Sequence, residues 1–332
     1  MFKKMAKSLY DIESAIKTVS ENVQKATHAR SKTLPQITPR LVAVSKTKPV
    51  PEIITAYRCG QRHFGENYVK ELEEKSKNEQ ILAECSDIKW HFIGHLQKNK
   101  ANKVAVVPNL YMVETVDSQK LAQTLNNLWE KFSRPGKLKV MVQVNTSGEE
   151  SKEGIEPGQV EHLCRFIKYK CPCLELAGLM TIGAYGYDLA RGPNPDFLAL
   201  VEQREKVCAA LGMTPDQVEL SMGMSSDYEH AILLGSTNIR VGSTIFGSRD
   251  TNHTEGGNPG ETGVGPSNTD QSGASVEKGD QSETSNCGMN QSNQKSAEGN
   301  AQSSSNQTSE TSVNKDSTQQ PLNSLKDLSI SH

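Results

Sequence analysis

Leu41-Val-Ala-Val-Ser-Lys46-Thr-Lys48-Pro49 decides the fold. Four aliphatic residues in a row, closed by polar residues and a proline, read as a strand buried on both faces, as in a helix-covered parallel sheet. In such architectures chemistry gathers at the C-terminal ends of the strands. A lysine held there by a rigid strand and partly desolvated gives up its proton more readily, and a neutral amine can form a Schiff base with an aldehyde. A solvated lysine that merely closes a strand is the plainer alternative for Lys46. The rest of the chain has to discriminate.

Outward from that strand the chain alternates. Before it, Leu9, Ile12, Ile16, Val19 and Val23 recur at spacings of three and four, the apolar stripe of a helix. After it, Pro49 and Pro51 open a helix through Tyr57 and Cys59 that stops at Gly60. Arg62 to Asn67 is a second strand, and Tyr68 to about Glu84 a second helix. Lys89 to His95 is a third strand, followed by a short helix over about 98–106. Asn109 to Val116 gives a fourth, with Asp117 or Ser118 capping a helix that ends before Pro135-Gly136. Leu138 to Asn145 is a fifth strand, with a helix from Pro157 to about Tyr169. Leu174 to Met180 is the sixth, with a long helix from about Pro195 to Leu211. Val218 to Met222 is the seventh, with a short helix near 228–234, and Asn238 to Val241 is the eighth. Eight strand signals interleaved with helices over about 250 residues fit a (β/α)8 TIM barrel in count and length. No helix is evident after the eighth strand, and the N-terminal helix is expected to cover that part. An open doubly wound sheet is the alternative, because periodicity alone does not show closure.

Composition changes abruptly near Asp250. Residues 251–332 contain no Phe, Tyr or Trp and are dominated by Ser, Asn, Gln, Thr and Gly. Such a segment buries too little apolar area to offset its ordering entropy, so residues 1–250 read as the barrel and 251–332 as a disordered tail. Leu322 to Ile330, weakly apolar, is either a short docking helix or plain tail. The tail carries ten acidic and four basic residues, a net of -6, which leaves about +4 on the first 250 residues against -2 for the whole chain. Without a basic cluster, that charge gives no reason to expect nucleic-acid or anionic-membrane binding. No apolar stretch is long enough to span a bilayer or to form a signal-peptide core, and Asp11 and Glu13 argue against a transit peptide. Seven scattered cysteines suit reduced thiols, and a cytoplasmic location is expected. Cys171-Pro-Cys173 is one residue short of a zinc or redox pair, so no metal is expected.

TIM barrels often hold phosphate with the loops after strands seven and eight. Here those loops are Ser221-Met-Gly-Met-Ser-Ser-Asp227 and Arg240-Val-Gly-Ser-Thr-Ile-Phe-Gly247. Gly223, Gly242 and Gly247 allow close backbone approach, and Ser225, Ser226, Ser243 and Thr244 offer hydroxyls and amides. Ser226 with Glu229 also fits a helix capping box, the purely structural reading. Arg240 should project from strand eight towards a ligand, or else form a salt bridge at the rim. Asn67, His95 and Asn145 fall at strand ends and could line the same mouth, or serve as turn residues. In a closed barrel strand eight pairs with strand one, so the lysine and the phosphate loops would be neighbours. A ligand carrying both an aldehyde and a phosphate would meet both, which points to pyridoxal 5′-phosphate (PLP).

Longer segments carry a resemblance: Ala43-Val-Ser-Lys-Thr-Lys-Pro49, Phe64-Gly-Glu-Asn-Tyr68, Trp90-His-Phe-Ile-Gly-His-Leu-Gln97 and Val144-Asn-Thr-Ser-Gly-Glu149. Gly178-Leu-Met-Thr-Ile182, Leu220-Ser-Met-Gly-Met-Ser225 and Gly235-Ser-Thr-Asn-Ile-Arg-Val-Gly-Ser-Thr-Ile-Phe-Gly247 extend it. In order, and over roughly residues 5–250, they resemble the PLP homeostasis proteins, whose fold is similar to the N-terminal barrel of alanine racemase. The resemblance implies that Lys46 forms the internal aldimine and that Arg240 faces the pyridine nitrogen. It also implies that Ser225, Gly242, Ser243 and Thr244 hold the phosphate; Asn67 is counted with this cofactor-binding set. An arginine at the ring nitrogen disfavours its protonation and makes the ring a poorer electron sink than one facing a carboxylate. Racemases of this fold tolerate the arginine but add a second domain and a partner-subunit tyrosine as opposing acid/base, where this chain has only the tail. The expectation is a PLP carrier or buffer without catalytic residues, serving PLP-dependent apoenzymes as a monomer or weak dimer. A PLP-dependent racemase is the second reading, and a cofactor-free Schiff-base aldolase on the same barrel the third.

Overall fold

In the computed structural model, residues 2–149, 152–184 and 186–248 are described, with side chains from residue 11 onward. Eight parallel strands follow one another around a closed barrel: β1 (Arg40–Val44), β2 (His63–Glu66), β3 (Lys89–Phe92), β4 (Leu110–Val116), β5 (Leu138–Gln143), β6 (Leu174–Met180), β7 (Glu219–Ser221) and β8 (Asn238–Val241). β8 pairs with β1 over Arg40–Asn238 to Ala43–Val241, which closes the sheet and excludes the open doubly wound alternative. The expected tail over 251–332 lies outside the described residues.

The apolar runs serve two cores. Ala43, Phe64, Trp90, Phe92, Val140 and Ile239 face outwards and pack under the helices. Burying each larger side chain of this kind stabilises the fold by about 1.5–3 kcal/mol. Inside the barrel a smaller layer of Met112, Met141, Ala177 and Met180 fills the axis. A β-strand alternates its side chains between faces, so Arg40, Val42 and Val44 share the inner side of β1. The same alternation puts Asn238, Arg240 and the following Gly242 on the inner side at β8.

The helices are α1 (Phe2–Ala29), α2 (Val50–Arg58), α3 (Val69–Ser76), α4 (Glu79–Glu84), α5 (Ala101–Ala105), α6 (Gln119–Lys131), α7 (Val160–Lys170), α8 (Pro195–Leu211), α9 (Tyr228–Leu233) and α10 (Ser243–Phe246). Three differ from the sequence reading. The helix expected over Tyr68–Glu84 is two, because Asn78 takes an extended conformation and its side chain caps Gln80 and Ile81. The expected capping box of Ser226 and Glu229 is absent; Asp227 is the N-cap residue of α9, and its carboxylate accepts from the amide of Met224. A one-turn helix, α10, follows β8 where none was expected. Four residues cannot cover a barrel strand, and α1 makes up the difference by packing against α9, α10 and α2. Its stripe of Ile12, Ile16, Val19 and Val23 is buried. Arg30, just past the end of α1, pins it in place with hydrogen bonds to the carbonyls of Ile232 and Ser236 at 2.9 and 2.7 Å. No helix among the described residues is long and apolar enough to cross a membrane.

Candidate functional site

Lys46 follows β1 directly, in the turn Ser45-Lys46-Thr47-Lys48, whose ends are joined by the Lys48 amide donating to the Ser45 carbonyl at 3.0 Å. Val42 and Val44 face the inner side of β1, and Lys46 comes two residues after the strand ends. Ala43 is level with Val241 on β8. Beyond that level the two chains stay close: a Cβ at Gly242 would sit 3.3 Å from both Cβ and O of Val44. Glycine at 242 therefore lets the end of β8 lie against the strand that delivers Lys46.

The end of β8 and the loop after β7 meet at Ser225. Its hydroxyl oxygen accepts from the amide of Gly242 at 3.1 Å and more distantly from that of Thr244 at 3.5 Å. Ser243 and Thr244 are exposed in the first turn of α10, and the amides of Ile245 and Phe246 already donate to the Gly242 carbonyl. Ser225, Gly242 and Thr244 are thus one polar cradle, with Ser243 on its outer lip. Lys48 ties this cradle to the first strand, donating to the carbonyls of Phe246 and Ser248 at 2.7 and 3.1 Å.

Arg240 lies below the cradle. It is buried and forms no rim salt bridge: it donates to the Ser221 hydroxyl at 2.6 Å and to the Thr181 carbonyl at 2.8 Å. Burial lowers its pKa, opposed by Glu114 and Asp227. Ser221 in turn donates to Glu114 at 2.5 Å, and the Asn238 amide reaches both oxygens of that carboxylate at 3.1 Å. His91 bonds the same carboxylate at 2.6 Å and His63 at 2.8 Å. Burial alone would raise the pKa of Glu114. The His91 hydrogen bond and charge, with Arg240 and the Ser221 hydroxyl, hold it at about 2. His63 is pushed down to about 2 by burial and by the charges of His91, Arg40 and Lys89.

At the end of β2, Asn67 keeps its backbone against β3, where a Cβ on Gly94 would come within 1.9 Å of the Asn67 carbonyl oxygen. Its side-chain Oδ1 is buried without a hydrogen-bond partner, an acceptor that a ligand in the mouth would satisfy. Asn145 instead serves its own loop, donating to the carbonyls of Glu149 and Lys152. His95 pairs with Glu153 at 3.2 Å and stands 3.8 Å from Asp117. The donor atoms of these three lie close enough to share a metal ion, but the imidazole and the carboxylates already answer one another.

Reading the sequence missed Glu114, Ser221 and Thr181, which anchor Arg240. A signal for Glu114 was available: a lone carboxylate inside the apolar run of a strand covered on both faces demands a buried partner. The architecture defines the class: a closed barrel of eight parallel strands, with the Lys46 turn and the Ser225–Gly242–Thr244 cluster following its first, seventh and last strands.

Comparison with known proteins agrees with the barrel. Residues 17–250 match the family described as "Alanine racemase, N-terminal domain". The pyridoxal phosphate homeostasis protein of Bos taurus is 60% identical over 236 residues, covering 71% of this chain and 86% of that one. Among solved structures, an unknown protein from Bifidobacterium adolescentis aligns with a TM-score of 0.63 at 33% identity, over 72% of this chain and 96% of that one. PipY of Synechococcus elongatus, in its structure with PLP bound, aligns with a TM-score of 0.54 at 30% identity, over 69% of this chain and all of that one, 100%. The chain belongs to the alanine racemase N-terminal domain family and, within it, to the pyridoxal phosphate homeostasis proteins.

Proposed function

We propose that this chain binds PLP at the barrel mouth and carries or buffers it, supporting vitamin B6 and amino-acid homeostasis with little turnover of its own. The observation that carries the reading is the close approach of the ends of β1 and β8 at Val44 and Gly242, which supports a site shared by Lys46, two residues after Val44, and the Ser225, Gly242, Ser243 and Thr244 segment. The residues fit the cofactor. Asn67 presents a buried acceptor without a partner. Ser225 already receives two amides, so its own proton is free to donate to a phosphate oxygen. The PLP in the PipY structure supports the same reading.

When bound, the cofactor would supply an aldehyde with which an amine can condense, releasing water. Lys46 supplies that amine. Arg240, held by Ser221 and Thr181, would hold the ring nitrogen's side of the cofactor, and a fixed cation there would oppose a proton on that nitrogen and weaken carbanion chemistry. The described residues form the barrel alone, without the second domain that racemases of this fold add. Transfer of PLP to apoenzymes, in a cytosolic setting, completes the proposal.

The protein reconstituted with PLP should be yellow, and Lys46→Ala should lose the visible band and all borohydride-trapped cofactor mass. A colourless wild type at excess PLP overturns the reading. The match to the racemase family favours a second reading, a PLP-dependent racemase. Rapid exchange of an amino-acid Cα proton in deuterated water would support it; no exchange, with faster delivery to an apoenzyme than from equal free PLP, supports the carrier.

A further inference from the structure

The turn that carries Lys46 is bolted down on both sides. Ser45, before it, donates its hydroxyl to Glu66 Oε1 at 2.7 Å, and its carbonyl accepts from Lys75 Nζ at 2.6 Å. Thr47, after it, has φ +62°, in the left-handed region, a rare conformation for a β-branched residue. Its amide donates to Glu71 Oε1 at 2.6 Å. Lys75 joins the two sides, reaching Glu66 and Glu71 at 2.7 Å each.

This network is not a solvated helix face. The Glu66 and Lys75 side chains are 0% and 8% exposed, and only Glu71 reaches the surface, at 21%. Two opposite charges taken out of water need exceptional geometry to break even, and an apolar pair of similar volume would often hold the fold as well. The Ser45 hydroxyl and carbonyl and the Thr47 amide take up further bonds of the network, while Glu66 Oε2 stays buried without a partner. Every one of those groups adjoins Lys46. None belongs to the cradle or to the Arg240 system.

We infer that Glu66, Lys75 and Glu71 are positioning residues that hold the Lys46 turn in the one backbone conformation from which its amine reaches a bound aldehyde. The inference rests on the PLP reading above. A lysine stem has four rotatable bonds, so without a fixed backbone its amine samples a wide volume, and the effective concentration at the aldehyde carbon falls. The strained Thr47 is the mark of a turn held by its surroundings rather than by its own preference. The clamp touches neither cofactor nor phosphate; it acts through Ser45 and Thr47.

Two ligands separate positioning from general stability. PLP offers an aldehyde, whereas pyridoxamine 5′-phosphate keeps the ring and phosphate and offers none. For Glu71→Ala, a partly exposed position where folding is secure, and for Lys75→Met, equilibrium binding of both ligands is measured beside thermal unfolding. The expected result is a tenfold or greater loss for PLP, a weaker visible band and slower borohydride trapping, with pyridoxamine 5′-phosphate affinity changed less than twofold. Equal changes for both ligands, or none for either, overturn the clamp. If wild-type protein binds PLP no better than pyridoxamine 5′-phosphate and traps none, the PLP reading itself has failed, and that outcome is distinct because it needs no variant.

Discussion

At the scale of single residues, the site divides its labour by chemical type. Lys46 is the group whose protonation state matters. Arg240 donates to the Ser221 hydroxyl and the Thr181 carbonyl, and an apolar side chain there would leave that carbonyl without its donor. Ser225 joins the loop after β7 to the end of β8, because its one oxygen collects the amides of Gly242 and Thr244. Ser225→Ala leaves both amides unsatisfied and removes a phosphate donor, a loss of about 1.4 kcal/mol, or tenfold in affinity. Pyridoxal, which lacks the phosphate, should bind Ser225→Ala as well as it binds the wild type. Titration of both ligands by absorbance checks this, and an equal loss for pyridoxal would remove Ser225 from the phosphate cradle.

At the scale of elements, the mouth depends on how closely strand ends approach. Gly94 and Gly242 both face a neighbouring backbone, but unequally. A Cβ at 94 would overlap the Asn67 carbonyl at 1.9 Å, whereas one at 242 would meet Val44 at 3.3 Å. Gly94→Ala must therefore shift β2 from β3 and should destabilise the protein by roughly 2–4 kcal/mol, while Gly242→Ala should cost less than about 1.5 kcal/mol. Urea midpoints at constant slope rank the two, and a reversed order would contradict the packing. The same scale shows why some elements could be read from sequence and others could not. The expected spans of β6, β8 and α8 match, because an apolar run or stripe is bounded by strong punctuation: Asn194 caps α8, Pro195 starts it and Gly212 ends it in the left-handed region. The positions of Lys46, Arg240 and the serine-glycine loops relative to their strands were legible for the same reason, since a strand's end fixes where its next residue lies. α10 is a single turn, too short for an apolar spacing to repeat, so no pattern could announce it. Glu71 and Lys75 read as an ordinary i, i+4 pair on an exposed helix face; only the packing of α3 against β2 turns that pair inward, and no local signal records it.

At the scale of the whole molecule, the barrel encloses ionisable groups whose pKa values move in opposite directions, and their sum fixes how stability follows pH. Burial raises Glu66 from 4.5 to about 7, more than Lys75 lowers it. Its folded form takes a proton that the unfolded chain refuses, so its contribution is full below pH 4.5 and fades as pH rises through 7. His63, lowered from 6.5 to about 2, does the reverse: its contribution is full above 6.5 and is lost as pH falls. Glu114, lowered from 4.5 to about 2, contributes above 4.5 and is lost on further acidification. Each such proton changes stability by about 1.4 kcal/mol per pH unit while the two states differ; for the half-buried His63, screening by water makes that an upper bound. Between pH 6.5 and 4.5 the gain at Glu66 therefore offsets the loss at His63, and stability should be nearly flat. Below 4.5 Glu66 is protonated in both states and adds nothing more. His63 and Glu114 then act together, and stability should fall steeply. Glu66→Gln removes the compensating group, so the decline in that variant should begin near pH 6.5 instead. Urea unfolding at intervals from about pH 8 down to about pH 3.5 reads both curves directly. Parallel curves for wild type and variant would mean that Glu66 takes up no proton on folding, and that the charge beneath the Lys46 turn is fixed at every pH the fold survives.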